Sequence, residues 1–265
     1  LTARGEGYGQ DAFINSGLVG PQRRKNPMNK SPKLFRRCVS SLVGLALGVS
    51  VSAAEARPLP VTICRGQVNA AEPAHFRGCT DVIGDVRIEH SSAKTLQELA
   101  ALRRVTGALV IADNPSLTSL SGLSNLRSVQ SLVIQQNPEL QSVDGLERLE
   151  EVTSIQIEHN HALVEVTGPN SLEHVDELRV RDNGIVRLTG FHHLVSAGDL
   201  VIADNARLIY APGLSRLVTI ENLTLAHNPR LAPVSGFFSS LTQVSGRFSL
   251  SHCPGVHKGD VLRDG

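Results

Sequence analysis

Apolar residues in this chain come in short alternating bursts. An apolar residue, any residue and a second apolar residue stand at Leu109 and Ile111, Leu132 and Ile134, Ile155 and Ile157, Leu178 and Val180, Leu200 and Ile202, and Leu223 and Leu225. A period of two marks a short strand with one buried face. Val86 with Ile88 extends the column upstream and Phe248 with Leu250 extends it downstream, so the pattern predicts eight strands. Three positions after each of the six central pairs stands an asparagine: Asn114, Asn137, Asn160, Asn183, Asn205 and Asn228. The steps between them are all equal, except that the step from Asn183 to Asn205 is shorter by one.

Between one asparagine and the next strand the apolar positions recur in threes: Leu117, Leu120, Leu123, Leu126 and Val129, then Leu132. The next unit repeats this with Leu140, Val143, Leu146, Leu149 and Val152. A helical face would mix steps of three and four. Steps of three suit a coil of short extended segments and corners, each inward residue lying on its copy one turn away. A fixed period of this length means one unit stacked repeatedly. The expected fold is therefore all-β, a parallel β-solenoid of about eight coils of roughly 22–25 residues each.

Two further columns share the register. Gly122, Gly145, Gly168, Gly190, Gly213 and Gly236 follow the asparagines at a constant offset, one shorter at Gly190. A glycine at one corner implies either a positive φ or a close backbone approach. Pro115, Pro138 and Pro229 follow three of the asparagines and stiffen the exit from the strand. The asparagines themselves have a structural role with a mechanism. A corner leaves backbone N–H and C=O groups without ladder partners, and an inward amide, both donor and acceptor, satisfies them. Stacked copies form a ladder.

Not all 265 residues fit this pattern. Met28 is followed by Lys30, Lys33, Arg36 and Arg37, the apolar run Leu42–Val49 and the small residues up to Ala56, in the order of a secretory signal peptide over 28–56. The stretch is short for a membrane span, which makes an uncleaved anchor the lesser alternative. Residues 1–27 are expected to be a disordered extension from a mis-set start. Cys38 is expected to leave with the signal. The expected location is secreted or cell-surface, with no membrane span in the mature chain.

Removing residues 1–56 leaves 18 Lys and Arg against 22 Asp and Glu, a net charge near −4. No basic stripe remains, which argues against nucleic acid as a partner. The chain has no tryptophan, so aromatic platforms for carbohydrate are scarce. Cys64 and Cys79 fall just before the first strand. A disulfide between them would close a loop of about 15 residues, worth about 3 kcal/mol in the chain-entropy account, and pin a cap over 57–85. Two free buried thiols are the alternative. The solenoid proper is expected over 86–252, with a tail at 253–265. Cys253 takes the asparagine register after two inserted residues and is expected to be a buried thiol. Phe237, Phe238 and Phe248 are candidates to plug the last coil.

The run Gly78-Cys79-Thr80-Asp81-Val82-Ile83-Gly84-Asp85-Val86-Arg87-Ile88 resembles the opening of the receptor L domain, the ligand-binding module of insulin and epidermal growth factor receptors that also occurs in secreted microbial proteins. Leu99, Leu102, Val105-Thr106-Gly107, Leu109 and Ile111 continue the pattern, and the repeats to Leu250 agree with it. The resemblance implies a right-handed β-helix that binds protein partners through the exposed face of its sheet. Within these residues there is no cysteine-rich module and no kinase, so only the binding-module part carries over.

The outward strand positions give three rows. One runs Arg87, Val110, Val133, Gln156, Arg179, Val201, Thr224 and Ser249; the next runs Glu89, Ala112, Gln135, Glu158, Arg181, Ala203, Ala226 and Ser251. Gln156, Glu158, Arg179 and Arg181 stand together and are the expected ligand contacts. The third row, His90, Asp113, Gln136, His159, Asp182, Asp204, His227 and His252, places aspartates one coil apart, a spacing of the kind glycoside-cleaving carboxylates use. A polysaccharide-cleaving β-helix is therefore an alternative, set against the absence of long loops to build a cleft. Glu158-His159-Asn160-His161 invites a metal reading, but inward Asn160 turns the chain and parts the two rings. Asn222-Leu223-Thr224 is a glycosylation sequon on paper. The expected function is an exported, non-catalytic recognition module for a protein or surface glycan, without cofactor, metal or catalytic residue. A structural envelope component with no dedicated ligand is the other alternative.

Overall fold

The computed structural model describes residues 61–65, 68–69, 72–232 and 237–261, all within the compact unit Arg57–Gly265. The expected extension 1–27, the signal segment 28–56 with Cys38, and Gly236 lie outside the described residues.

The chain is a parallel β-solenoid. Eight rungs stack in sequence order: Val86–Glu89, Arg104–Ala112, Ser128–Gln135, Ser154–Glu158, His174–Arg181, Ser196–Ala203, Thr219–Ala226 and Phe248–Ser251. Eight rungs bound seven full turns, so the expected count differs only in how the ends are reckoned. The register is the one the sequence columns require. Leu109 pairs with Leu132, then Ile155, Leu178, Leu200, Leu223 and Phe248. Ile88, Ile111, Ile134, Ile157, Val180, Ile202, Leu225 and Leu250 form the second inward column. From Ile88 to Leu225 these residues have no solvent exposure. Each fully buried aliphatic side chain contributes about 1.5–3 kcal/mol relative to exposure, so the stacked columns are the main source of stability.

The steps of three have a structural cause. At several corners the chain makes a turn of 3₁₀ helix, at Gln97–Leu99, Ser121–Leu123 and Pro212–Leu214, and this helix has three residues per turn. Each of these turns buries its leucine: Leu99, Leu123 and Leu214. A second, short sheet on another side pairs Glu165–Val166 with Arg187–Leu188, and single bridges at Ser119–Ser142, Ser142–Glu165 and Arg187–Tyr210 extend it.

The glycine column resolves mostly into close approach. A Cβ at Gly122 would lie 1.8 Å from the Leu96 carbonyl oxygen, and one at Gly213 would lie 1.6 Å from that of Gly190. Of the described members only Gly145 has a positive φ, at 110°. The coils touch backbone to backbone at this corner, and a side chain would hold them apart.

The asparagines form the expected ladder, buried from Asn114 to Asn228. Asn160 illustrates the wiring. Its Nδ2 donates to the Ile134 carbonyl in the preceding coil at 3.0 Å and to the Glu158 carbonyl in its own coil at 2.9 Å. Its Oδ1 accepts the backbone N–H of Asn137 at 3.1 Å, and its own backbone N–H donates to Asn183 Oδ1 at 3.1 Å. One amide thus closes the orphan Asn137 N–H and adds a bond to two carbonyls, of which that of Glu158 also accepts the Gln136 N–H at 3.2 Å. The ladder starts at Ser91, whose N–H donates to Asn114 Oδ1, and ends at Cys253, whose Sγ lies 3.8 Å from Asn228 Nδ2. Cys253 is free and buried.

The residues expected as the third outward row are not strand positions. The strands end one residue earlier, and His90, Asp113, Gln136, His159, Asp182, Asp204, His227 and His252 all occupy the left-handed region, with φ between 49° and 57°. This residue lets the rung turn so that the next one points inward. Asp and His are among the non-glycine types that tolerate this conformation, which accounts for their recurrence here.

Both ends of the stack are dressed. Cys64 and Cys79 form a disulfide, and strand Ile63–Arg65 adds to Asp81–Ile83 at the first coil. At the other end Phe237 and Phe238 stack with centroids 4.3 Å apart, and Phe248 takes a partly buried place in the inward column. Val256 and Val261, the latter in a single α-helical turn Lys258–Val261, pack into the same core.

Candidate functional site

The exposed face of the main sheet is the candidate site. Strand alternation sends every second side chain outward, and the in-register stack turns these into straight rows. The rows Arg87–Ser249 and Glu89–Ser251 are both present as rows. Their character changes along the stack. On the second and third rungs they are mostly apolar and little exposed, with Val110 and Ala112 buried and Val133 half-buried, whereas the fourth and fifth rungs are charged.

Those two rungs hold the expected contacts. Gln156 pairs in register with Arg179, and Glu158 with Arg181. Gln156 and Glu158 are half-buried, while the arginine side chains are about half exposed, at 45% and 56%. The arginines find their carboxylates elsewhere. Arg179 Nε donates to Glu177 on its own strand, and Arg181 Nε donates to Asp204 Oδ2 at 2.8 Å in the next coil. Ion pairs this exposed are each worth about 0–1 kcal/mol to stability, so they position the guanidinium groups more than they hold the fold.

The corner column is knitted by similar pairs. His159 Nδ1 donates to Asp182 Oδ2 at 2.7 Å. Asp204 also takes His227 Nδ1 at 3.1 Å, and His227 stacks on His252 with centroids 4.5 Å apart. Asp182 and Asp204 are thus each engaged with a basic partner. His159 and His161 flank inward Asn160, and among the described residues no three His, Cys, Asp or Glu side chains are placed to hold a metal ion.

A third outward row was missed in the sequence: Ala108, Ser131, Ser154, Glu177, Asp199 and Asn222, each at the same offset before its asparagine and polar at all but the first position. Ser131 and Ser154 hydroxyls bond at 2.8 Å, and Asn222 Nδ2 donates to Asp199 Oδ1 at 2.7 Å. Its signal was available as a polar column in the repeat alignment. It lies one position before each apolar pair, outside the alternation that marks the strand.

The stack of parallel strands that follows Gly78-Cys79-Thr80 is a β-helix, the architecture the resemblance implied. Residues 78–168 match the receptor L domain family. The matched span runs from Gly78, beside the cap cysteine, through the fourth rung to the corner glycine Gly168, and four more rungs follow it. Receptor L domains are ligand-binding modules, and that family likeness, with the disulfide, suggests an extracellular setting. No curated protein and no solved structure gives a match. Among the described residues no helix is long and apolar enough to cross a membrane.

Proposed function

We propose that this protein is exported and acts at or outside the cell surface as a non-catalytic recognition module. It binds a protein or surface glycan through the exposed sheet face, with Gln156, Glu158, Arg179 and Arg181 among the contacts. The observation that carries the reading is the face itself. Its rows are held in register by the paired strands, and its two central arginines are positioned by Glu177 and Asp204 while still exposed. Preorganised side chains lose little freedom on binding, which favours recognition. Export rests on the pattern over 28–56 and agrees with a disulfide in the cap.

The test is a pull-down from intact cells and envelope fractions, with wild type compared against Arg179→Glu/Arg181→Glu. Both proteins are first shown to melt alike. Loss of a partner in the variant supports the sheet face. Equal recovery moves the contact elsewhere on the molecule, and no partner for either protein favours an envelope component without a ligand. New reducing ends on incubation with acidic or neutral polysaccharides would reinstate the enzyme alternative.

A further inference from the structure

Towards the C-terminal end of the same face the sheet carries a hollow of about 520 Å³, lined by Asp199, Val201, Asn222, Thr224 and Arg247. It arises from a slip of register. Gln243 pairs with Thr219 and Phe248 pairs with Leu223, so the offset between partners grows by one from the first pair to the second. The extra residue is taken up at 245–247 as a bulge, a device that re-aims a side chain. Within it the backbone N–H of Arg247 donates to Asn222 Oδ1 at 2.8 Å, while Asn222 Nδ2 holds Asp199 Oδ1 at 2.7 Å. A Cβ on Gly246 would stand 2.5 Å from Asn222 Oδ1, so glycine is what lets the bulge lie against that amide.

The result is a built arrangement with free valences. The Arg247 side chain is exposed and bonds to no described residue, unlike Arg179 and Arg181 nearby. Asp199 spends one carboxylate oxygen on Asn222 and keeps the other. Thr224 offers a hydroxyl, and Val201 with the Thr224 methyl supplies an apolar floor. A guanidinium fork matches a carboxylate in two parallel hydrogen bonds. A carboxylate oxygen and a hydroxyl side by side suit the neighbouring hydroxyls of a sugar ring, whose C–H face can rest on the floor. An extended peptide would instead seek a sheet edge for its backbone groups, and the hollow lies on a face where only side chains are presented.

We propose that this hollow binds a uronic-acid residue of an acidic polysaccharide, Arg247 taking the carboxylate and Asp199 with Thr224 taking ring hydroxyls. The proposal rests on the reading of the sheet face as a recognition surface, and names a ligand class and a subsite within it.

The experiment is calorimetric titration of the full-length protein with a hexamer of galacturonate, its carboxyl-reduced neutral counterpart, and a hexaglutamate peptide. Arg247→Ala is run in parallel and, since the side chain is exposed and unbonded, melts like wild type. The galacturonate hexamer should bind at least about tenfold more tightly than the neutral one, the ratio that about 1.4 kcal/mol of differential binding gives. Arg247→Ala should remove that preference, and Asp199→Asn should weaken both sugars. Equal affinity of wild type and Arg247→Ala for the galacturonate hexamer would overturn the proposal. So would no binding of that hexamer, or equally tight binding of hexaglutamate. Loss of an envelope partner by Arg179→Glu/Arg181→Glu without any uronate binding would refute this hollow while leaving the broader reading in place.

Discussion

The backbone N–H of Asn137 donates to the side-chain oxygen of Asn160, 3.1 Å away in the next coil. The same bond recurs from Asn114 to Asn137, Asn160 to Asn183, Asn183 to Asn205 and Asn205 to Asn228. Each side chain therefore serves the backbone of the coil before it, and the ladder couples neighbouring coils as well as filling the corners.

Replacing Asn160 by Leu should destabilise the solenoid. The buried Asn137 N–H would lose its partner, at about 1–3 kcal/mol for a group left buried without one, and the Ile134 and Glu158 carbonyls would each lose a bond, although Glu158 keeps the one from the Gln136 N–H. Asn137→Leu should behave alike. Thermal melts check this: unchanged midpoints for both variants would mean the ladder carries no stability.

Gly213 should not tolerate a methyl group. In Gly213→Ala the new Cβ would meet the Gly190 carbonyl oxygen at 1.6 Å, and in Gly122→Ala it would meet that of Leu96 at 1.8 Å. Opening the coils to admit it should cost about 1–3 kcal/mol, as overpacking does. Gly259→Ala, with nothing within 4 Å, is the control and should melt like wild type. Equal melts for all three would remove the close-approach account of the column.

The left-handed corner is testable at Asp113, whose φ is 54°. Asp113→Val puts a β-branched residue there and should lose about 1–2 kcal/mol, the cost of this conformation for an L side chain. Asp113→Gly should be at least as stable as wild type, since glycine adopts positive φ freely. Urea titrations of the pair decide it. A Val variant as stable as the Gly variant would show that the corner relaxes away from positive φ.

Cys64 and Cys79, at a sequence separation of 15, close a loop over the first coil. Mass spectrometry of an unreduced digest should recover the linked peptides. Cys64→Ser/Cys79→Ser should lower stability by about 3 kcal/mol, the chain-entropy value for a loop of this length. An identical melt with and without reductant would make the bond irrelevant to the cap.

Much of this was written in the chain as periodicity. The apolar pairs, the asparagines and the glycines each recur once per coil, and an in-register stack is what lets each column bury itself against its own copies. The strands, their register and the inward amides follow from that alone. The row containing Asp182 and Asp204 shows the boundary. Its repeat was visible, but a repeat says only that a position is equivalent in every coil, not which way the backbone runs there. Only the folded chain revealed a positive φ, and with it turned an apparent row of carboxylates on a strand into a corner whose charges are paired with His159, Arg181 and His227.

The sheet face divides in the same way. The sequence by itself determined which residues alternate outward, and so brought Gln156 beside Arg179 and Glu158 beside Arg181. Tertiary structure decided whom those charges meet, because a long arginine side chain reaches a neighbour as easily along its strand as across to the next: Arg179 bonds Glu177, and Arg181 bonds Asp204. It alone produced the hollow at Arg247. That hollow depends on where the second of two inserted residues is absorbed between two rungs, and repeat spacing records that residues were inserted without recording which side chain the bulge turns outward.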